Sequence, residues 1–424
     1  MDGLKEIEGE NIMVKKIRYI KGLGIEKIAS TQEDHVIDRH QGIEHYKDII
    51  YQCGKCGTCR TVFQDVNWAR VCPSGELGKF EAYYLGGKNL LIWGLTSGKL
   101  KWTDNLAKIF FKCSLCLACT QQCQIPELHT YAGEWLMAMR EDAVQNGFGP
   151  MLEQKQYTQY IHDLHNPYGE QHENRRAWFP SEITQNSNSK LAYFVGCTAS
   201  YREKDIAVST VKILNSLNID FRILENESCC GSPVFMTGQT DKAKELAISN
   251  VEMFEEEKIE KIITSCAGCY RALKEVYPKK FGLKHGIEIV HLPEFISIKL
   301  KNGSLKFNNN INMKVTYHDP CHIGRHMGLY KEPRTVLENI SGLELVEMDR
   351  NMHNAWCCGS GGGVRSAFKD LSEFSARERI DEALETNATA IVSSCPFCLN
   401  QFKTNIKNEE ISVYDISQLI EKAI

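Results

Sequence analysis

The 424-residue sequence contains no long hydrophobic run. Its most apolar short stretch, NLLIWGL at 89–95, is far below the ~20 residues a membrane-crossing helix needs. The first twenty residues, MDGLKEIEGENIMVKKIRYI, have no apolar core of signal-peptide length. Positive charge is not in excess either. A formal net charge of −4, without a dense basic tract, argues against a nucleic-acid partner. No glycine-rich dinucleotide fingerprint follows a strand at the start of a βα unit, so no flavin or NAD is expected in this chain. These absences point to a cytoplasmic protein, with peripheral membrane attachment through a partner subunit left open. Hydrophobic residues at 42% and charged residues at 25% are ordinary for a globular chain, and the length suits two or three domains.

The abundant feature is cysteine, with 18 residues. A secreted disulfide scaffold would be shorter and would carry a signal peptide. Clustered cysteines in a long cytosolic chain point to metal instead.

Eight cysteines form the first group. Cys53, Cys56 and Cys59 read CGKCGTC, with Cys72 in VCPSG; Cys113, Cys116, Cys119 and Cys123 read CSLCLACTQQC. The second set is C-x2-C-x2-C-x3-C, the spacing of a cubane [4Fe-4S] site. In two-cluster ferredoxins the fourth cysteine ligates the other cluster. The expected groups are therefore Cys53, Cys56, Cys59 and Cys123 on one cube, and Cys113, Cys116, Cys119 and Cys72 on the other. Twelve residues, RTVFQDVNWARV, separate Cys59 from Cys72 and read as an inserted loop. Zinc is the competing ion, but three evenly spaced thiolates suit its tetrahedron poorly. Residues 76–112 and 127–147 carry helical patterning, the latter with a glycine stop. Trp93, Trp102, Phe110 and Phe111 are expected in the core and around the clusters. The reading is an N-terminal extension over 1–44, an α-helical di-cluster domain over 45–165, and a polar, aperiodic linker over 166–190.

The other ten cysteines fall into two sets of five: Cys197, Cys229, Cys230, Cys266, Cys269, and Cys321, Cys357, Cys358, Cys395, Cys398. Equivalent members are about 125–130 residues apart, an internal repeat. Within each set two cysteines are adjacent, in ESCCGSP and WCCGSGGG. Neighbouring residues make a strained disulfide and a poor zinc site. Each copy alternates strand and helix: KLAYFVGC, KDIAVSTVKILNSL, FRILENESCC, TDKAKELAISNVEMFEEEKIE and KIITSCAGC in the first, with matching segments in the second. That is β-α-β-α-β, the pattern of a parallel sheet, with the cysteines following the carboxyl ends of the strands. The expected domains are 191–305 and 311–424. Five thiolates exceed what a cubane takes, so an unusual iron–sulfur site, used twice, is implied. A phosphate loop at Gly359–Gly363 is the competing reading, but no Lys-Ser/Thr follows the glycines.

These motifs resemble the CCG-type cysteine-rich domain family. Two cubane motifs followed by two complete CCG domains are similar to the catalytic subunit of heterodisulfide reductase in its fused D form, over roughly residues 45–420. The resemblance implies an α+β multidomain chain, in which an α-helical ferredoxin-like domain precedes two tandem α/β CCG domains with parallel sheets related by the repeat. It implies that each set of five holds a noncubane [4Fe-4S] cluster, and that a disulfide is split between the two while cubane clusters feed electrons. An electron-transfer subunit of a flavin dehydrogenase complex, acting on a hydroxy acid, glycerol phosphate or an acyl-CoA and passing electrons to a quinone or membrane cytochrome, shares this domain order. Either way a redox partner is needed, a flavoprotein or a membrane protein of cytochrome b type. Oxygen-sensitive cofactors of this kind suggest an anaerobic setting. His318, His322, His326 and His353 crowd the second copy. His322, next to Cys321, is a candidate general acid for a departing thiolate, or a hydrogen-bond donor to cluster sulfur. Arg325 and Arg365 could pair with a substrate carboxylate or phosphate, but read first as solvated or ion-paired residues.

Overall fold

A run of helices between cysteine loops comes first, and two parallel sheets follow. The computed structural model describes residues 42–62, 67–407 and 410–424; most of the expected N-terminal extension lies outside them. In the first part the helices Leu85–Thr96, Asp104–Phe111, Pro126–Gln145 and Leu152–Leu164 carry the architecture. Thr103 caps the second, its side chain accepting from the Leu106 amide at 3.2 Å. Pro126 opens the third at its first turn, where no backbone donor is missed. Phe110, Phe111 and Trp135 lie in the core, as the aromatic content implies. Trp93 does not: it is 39% exposed, with the Lys99 ammonium 4.1 Å from its ring centre.

The first sheet has the strands β1 (Leu191–Phe194), β2 (Lys261–Thr264) and β3 (Glu288–His291), in that order and all parallel. The second has β4 (Met313–His318), β5 (Leu343–Val346), β6 (Ala390–Ser393) and β7 (Ser412–Asp415), in the order β5-β4-β6-β7, again parallel. Helices such as Lys204–Ser216, Thr240–Glu256 and Lys369–Glu385 make the crossovers. The two sheets share a packing detail. The buried Tyr193 hydroxyl meets Ser265 Oγ at 2.8 Å, and the buried Tyr317 hydroxyl meets Ser394 Oγ at 3.0 Å.

Two departures from the sequence reading stand out. FRILENESCC does not form a strand; only Arg222 bridges to Ala192, because the chain turns away at polar Glu225–Ser228 to deliver the cysteine pair. Each sheet also gains a last strand, β3 and β7, leading into the helices Leu292–Lys301 and Ile416–Ala423. Both strands have only four residues and follow polar connections, so their alternation is brief. The 166–190 stretch packs against the first sheet, burying Arg175, Trp178 and Ile183.

The helical part and the first repeat meet tightly at Gly238. Its φ is +76°, and a Cβ there would lie 2.5 Å from the Arg140 carbonyl carbon. Gly238→Ala is therefore expected to destabilise by roughly 2–4 kcal/mol, combining left-handed strain with overpacking. Gly303, at φ +74° with nothing within 4 Å, supplies the strain alone. Thermal melts of the two alanine variants separate the contributions.

Candidate metal centre

The loops that end the strands bring the cysteines together. Cys197 follows β1, Cys266 follows β2, Cys321 follows β4 and Cys395 follows β6. The tyrosine–serine bonds fix the loops bearing Cys266 and Cys395 to the neighbouring first strand of each sheet. Each cysteine pair is followed by a glycine at positive φ, Gly231 at +75° and Gly359 at +89°. This lets the chain double back so that both sulfurs of a pair stay on the inner side.

All ten thiols form one continuous series of side-chain contacts. Cys197 reaches Cys229, which reaches Cys230; Cys230 reaches Cys269, and Cys269 reaches Cys266. Cys266 then crosses to Cys395 of the second copy. From there the series runs through Cys398 and Cys358 to Cys357 and Cys321. Thiols flanked by two sulfur donors are acidified. Contacts from Cys229 and Cys269 bring Cys230 down to about 6, and contacts from Cys357 and Cys398 hold Cys358 well below its ordinary value.

The eight remaining cysteines sort into two neighbourhoods. Cys123 lies near Cys53 and Cys56, and Cys59 near Cys53 and Cys123 but also near Cys72, where the two neighbourhoods adjoin. Cys72 lies near Cys113 and Cys116, and Cys119 near all three and, across the boundary, near Cys59. Burial pushes Cys59 and Cys72 up to about 11. Cys72, Cys113, Cys116 and Cys119 line a cavity of about 30 Å³ with Val71, Leu117 and Leu136. Cys116 also makes a side-chain contact with Cys357, so this group abuts the second copy. The inserted loop docks on that copy too. Trp68 Nε1 donates to Glu385 Oε2 at 2.6 Å, and the Arg70 carbonyl accepts from Arg350 Nη1 at 2.9 Å.

Polar side chains hold each set in place. In the first copy, Glu227 accepts from the amides of Val195 and Gly196 at 2.9 and 2.8 Å and from Arg175 Nη2. Arg175 Nη1 also lies 3.7 Å from Cys197 Sγ. In the second copy, His318 Nδ1 accepts from Arg379 Nε at 3.1 Å. Its ring has a ligand atom within 4.8 Å of Cys358 and Cys398. His322 is half-buried, and loss of water around the ring together with Arg271 holds it down to about 3. Its Nε2 has no partner among the described residues, and its Nδ1 faces Gly268 in the CAGC loop of the first copy. His326 Nε2 lies 3.1 Å from the Leu115 carbonyl, and His353 offers its carbonyl to Arg325. Arg325 is half-buried and, contrary to the ion-paired reading, has no carboxylate partner among the described residues; its partners are carbonyls. Arg365 is half-buried, 3.3 Å from Thr404 Oγ1. Sequence reasoning missed Arg140, Arg175, Glu227, Arg350, Arg379 and Glu382.

The donor set suits iron and sulfide. Thiols crowded together away from water resist ionisation unless a cation stands between them: burial and then neighbouring sulfurs raise Cys119, and the Cys357 contact, burial and repulsion from Cys357 raise Cys116. Soft sulfur ligands select that cation's type.

Comparison with known proteins agrees. Residues 191–274 and 315–403 match the cysteine-rich domain model named CCG, and residues 49–125 match a 4Fe-4S dicluster domain. The D subunit of the dihydromethanophenazine:CoB–CoM heterodisulfide reductase of Methanosarcina barkeri is 38% identical over 387 residues, covering 89% of this chain and 94% of that protein. The chain belongs to the family of heterodisulfide reductase D subunits. It is thus an iron–sulfur oxidoreductase with an α+β multidomain fold: a helical ferredoxin-like part and two α/β CCG repeats. The B subunit of the fumarate reductase (CoM/CoB) of Methanothermobacter marburgensis is 31% identical, covering 73% of this chain and 61% of that one. An EtfAB:quinone oxidoreductase of Syntrophomonas wolfei is 28% identical over 75% of this chain, which spans 47% of it. These heterodisulfide and fumarate reductase relatives are subunits, so family members work with partner chains. Among solved structures, a hypothetical protein from Helicobacter pylori superposes with a TM-score of 0.54 at 12% identity, covering 91% of this chain and 76% of that one, a likeness of fold alone. No helix among the described residues is long and apolar enough to cross a membrane.

Proposed function

We propose that the protein cleaves a small disulfide, or forms one from thiols, in the crevice where its two CCG repeats meet. The observation that carries this reading is the contact between Cys266 and Cys395, which makes the two five-thiol sets face each other. Cys197, Cys229, Cys230, Cys266 and Cys269 would hold one noncubane [4Fe-4S] group, and Cys321, Cys357, Cys358, Cys395 and Cys398 the other. Cys53, Cys56, Cys59 and Cys123, and Cys113, Cys116, Cys119 and Cys72, would hold two cubane groups. When bound, such groups supply single electrons and iron with affinity for sulfur.

Splitting a disulfide takes two electrons and yields two thiolates that finally take two protons. Two facing sets let each thiolate be received separately. Cys116 beside Cys357 supports entry of electrons through the second repeat. His322, with its unpartnered Nε2 and its place against Gly268 of the first repeat, is positioned to donate a hydrogen bond to a departing thiolate. The electrons come from a partner protein of flavoprotein or cytochrome b type, with this chain working in the cytoplasm or at the membrane surface through that partner.

The test is oxygen-free purification with iron and sulfide quantitation, then electron paramagnetic resonance during titration with thiols. About sixteen irons and a thiol-dependent signal are expected. The same iron content with no thiol response would leave an electron-relay chain of a flavin dehydrogenase, as the quinone oxidoreductase relative suggests.

A further inference from the structure

Buried arginines in this chain come in two kinds. Arg175 has Glu227, Arg334 has Asp319 and Glu347, and Arg350 and Arg379 share Glu382. Arg140, 0% exposed, has no carboxylate within ion-pair distance among the described residues. Its guanidinium donates to carbonyl groups alone: Phe110 at 3.0 Å, Phe111 at 3.3 Å, Met236 at 2.5 Å, Gly362 at 2.8 Å, and Cys113. Those carbonyls belong to the helical part and to both repeats.

Arg325, half-buried, likewise has carbonyl partners and no carboxylate among the described residues. Its Nε donates to the Cys116 carbonyl at 2.6 Å, and its Nη1 to the carbonyls of Ala355 at 2.6 Å and His353 at 3.4 Å. Its Nη2 is buried without a partner. Arg140 therefore holds the Cys113 end of the CSLC loop against Gly362, and Arg325 holds the Cys116 end against Ala355. Both tie the loop to the chain flanking the Cys357–Cys358 pair. Carbonyl dipoles orient a guanidinium but do not neutralise it, and an uncompensated buried cation is costly. The groups beside Arg325 that can carry negative charge are the sulfurs of Cys116, Cys321 and Cys357, and beside Arg140 the sulfur of Cys113.

We propose that Arg140 and Arg325 are positioning residues that offset the negative charge gained when the Cys72, Cys113, Cys116, Cys119 group takes an electron, and so draw electrons to the side of the chain that meets Cys357. The step is a one-electron reduction with no bond made or broken, the electron coming from a low-potential donor of the partner protein. The inference rests on the iron–sulfur assignment of the preceding subsection. A cation within a few ångströms favours the more negative, reduced state, and charge and hydrogen bonding are among the levers that set cluster potentials.

The test is a dithionite titration of oxygen-free holoprotein followed by electron paramagnetic resonance, in wild type, Arg325→Gln, Arg325→Lys, Arg140→Gln and Arg140→Lys. Each glutamine variant is expected to shift the reduction equilibrium of this group at least tenfold against reduction, which for a one-electron couple is about 59 mV. The lysine variants should stay near wild type. A glutamine variant with wild-type iron content and an unmoved midpoint overturns the proposal. Where a glutamine variant does not accumulate, its lysine counterpart decides. A wild-type midpoint then supports charge as the agent, and a tenfold shift refutes it. A wild-type protein that binds no iron would instead sink the function proposed above, so the two failures are distinguishable.

Discussion

Cys358→Ala is expected to remove about four of about sixteen irons and to lower disulfide cleavage by at least about 10³-fold. Cys358 touches Cys357 and Cys398, has His318 beside it, and has a thiol acidified by those contacts. Cys230 holds the matching place in the first copy, between Cys229 and Cys269, so Cys230→Ala should have an equal effect. Because a disulfide needs both sides at once, the double variant should be hardly worse than either single one. Iron assay and turnover with a thiol-forming readout check this. Full iron with full turnover in Cys358→Ala would remove the second repeat from the chemistry.

Glu382→Gln should be the most damaging single substitution to stability away from the cysteines. One carboxylate serves two guanidiniums. Glu382 accepts from Arg350 Nη2 at 3.0 Å and Arg379 Nη1 at 2.6 Å, and all three side chains are 0–1% exposed. It also accepts from the Arg350 amide at 2.7 Å. Without its charge two buried cations lose their shared partner, at a cost of about 3–5 kcal/mol and a melting temperature lower by roughly 3–6 °C. Burial opposes ionisation of Glu382, but Arg379 and Arg350 outweigh it and hold the carboxyl below its usual range. Its contribution is therefore complete above the unfolded value of about 4.3 and is lost as pH falls through the lowered folded value. The stability gap between wild type and variant should be constant near neutrality and close in acid. A gap that persists at the most acid pH where both fold would assign the loss to shape rather than charge.

The cysteines were legible in the sequence because iron–sulfur chemistry writes itself in local spacing. Cys113 to Cys123 lie within one short loop, and the strand-end positions of Cys197, Cys266, Cys321 and Cys395 follow from apolar runs that precede them. The arginines were not legible. Arg140 meets Gly362, Arg175 meets Glu227 and Arg325 meets Cys116 across long stretches of chain, and no periodicity marks them. Arg175 sits in a polar segment whose composition reads as a connection, yet it reaches the first thiol set. The brief strands β3 and β7 escaped for the opposite reason: four residues are too few for an alternating pattern to show.

The unbroken file of sulfurs bears on how the protein is made. Without metal, neighbours in that file that are not adjacent in sequence are potential covalent partners. Air reaching the unloaded chain would weld Cys266 to Cys395 and pin its halves shut over the crevice. Maturation must therefore outrun oxidant, filling both halves before either is exposed, and material prepared in air then reconstituted should contain a crosslinked fraction that no later supply of iron can rescue without a reductant.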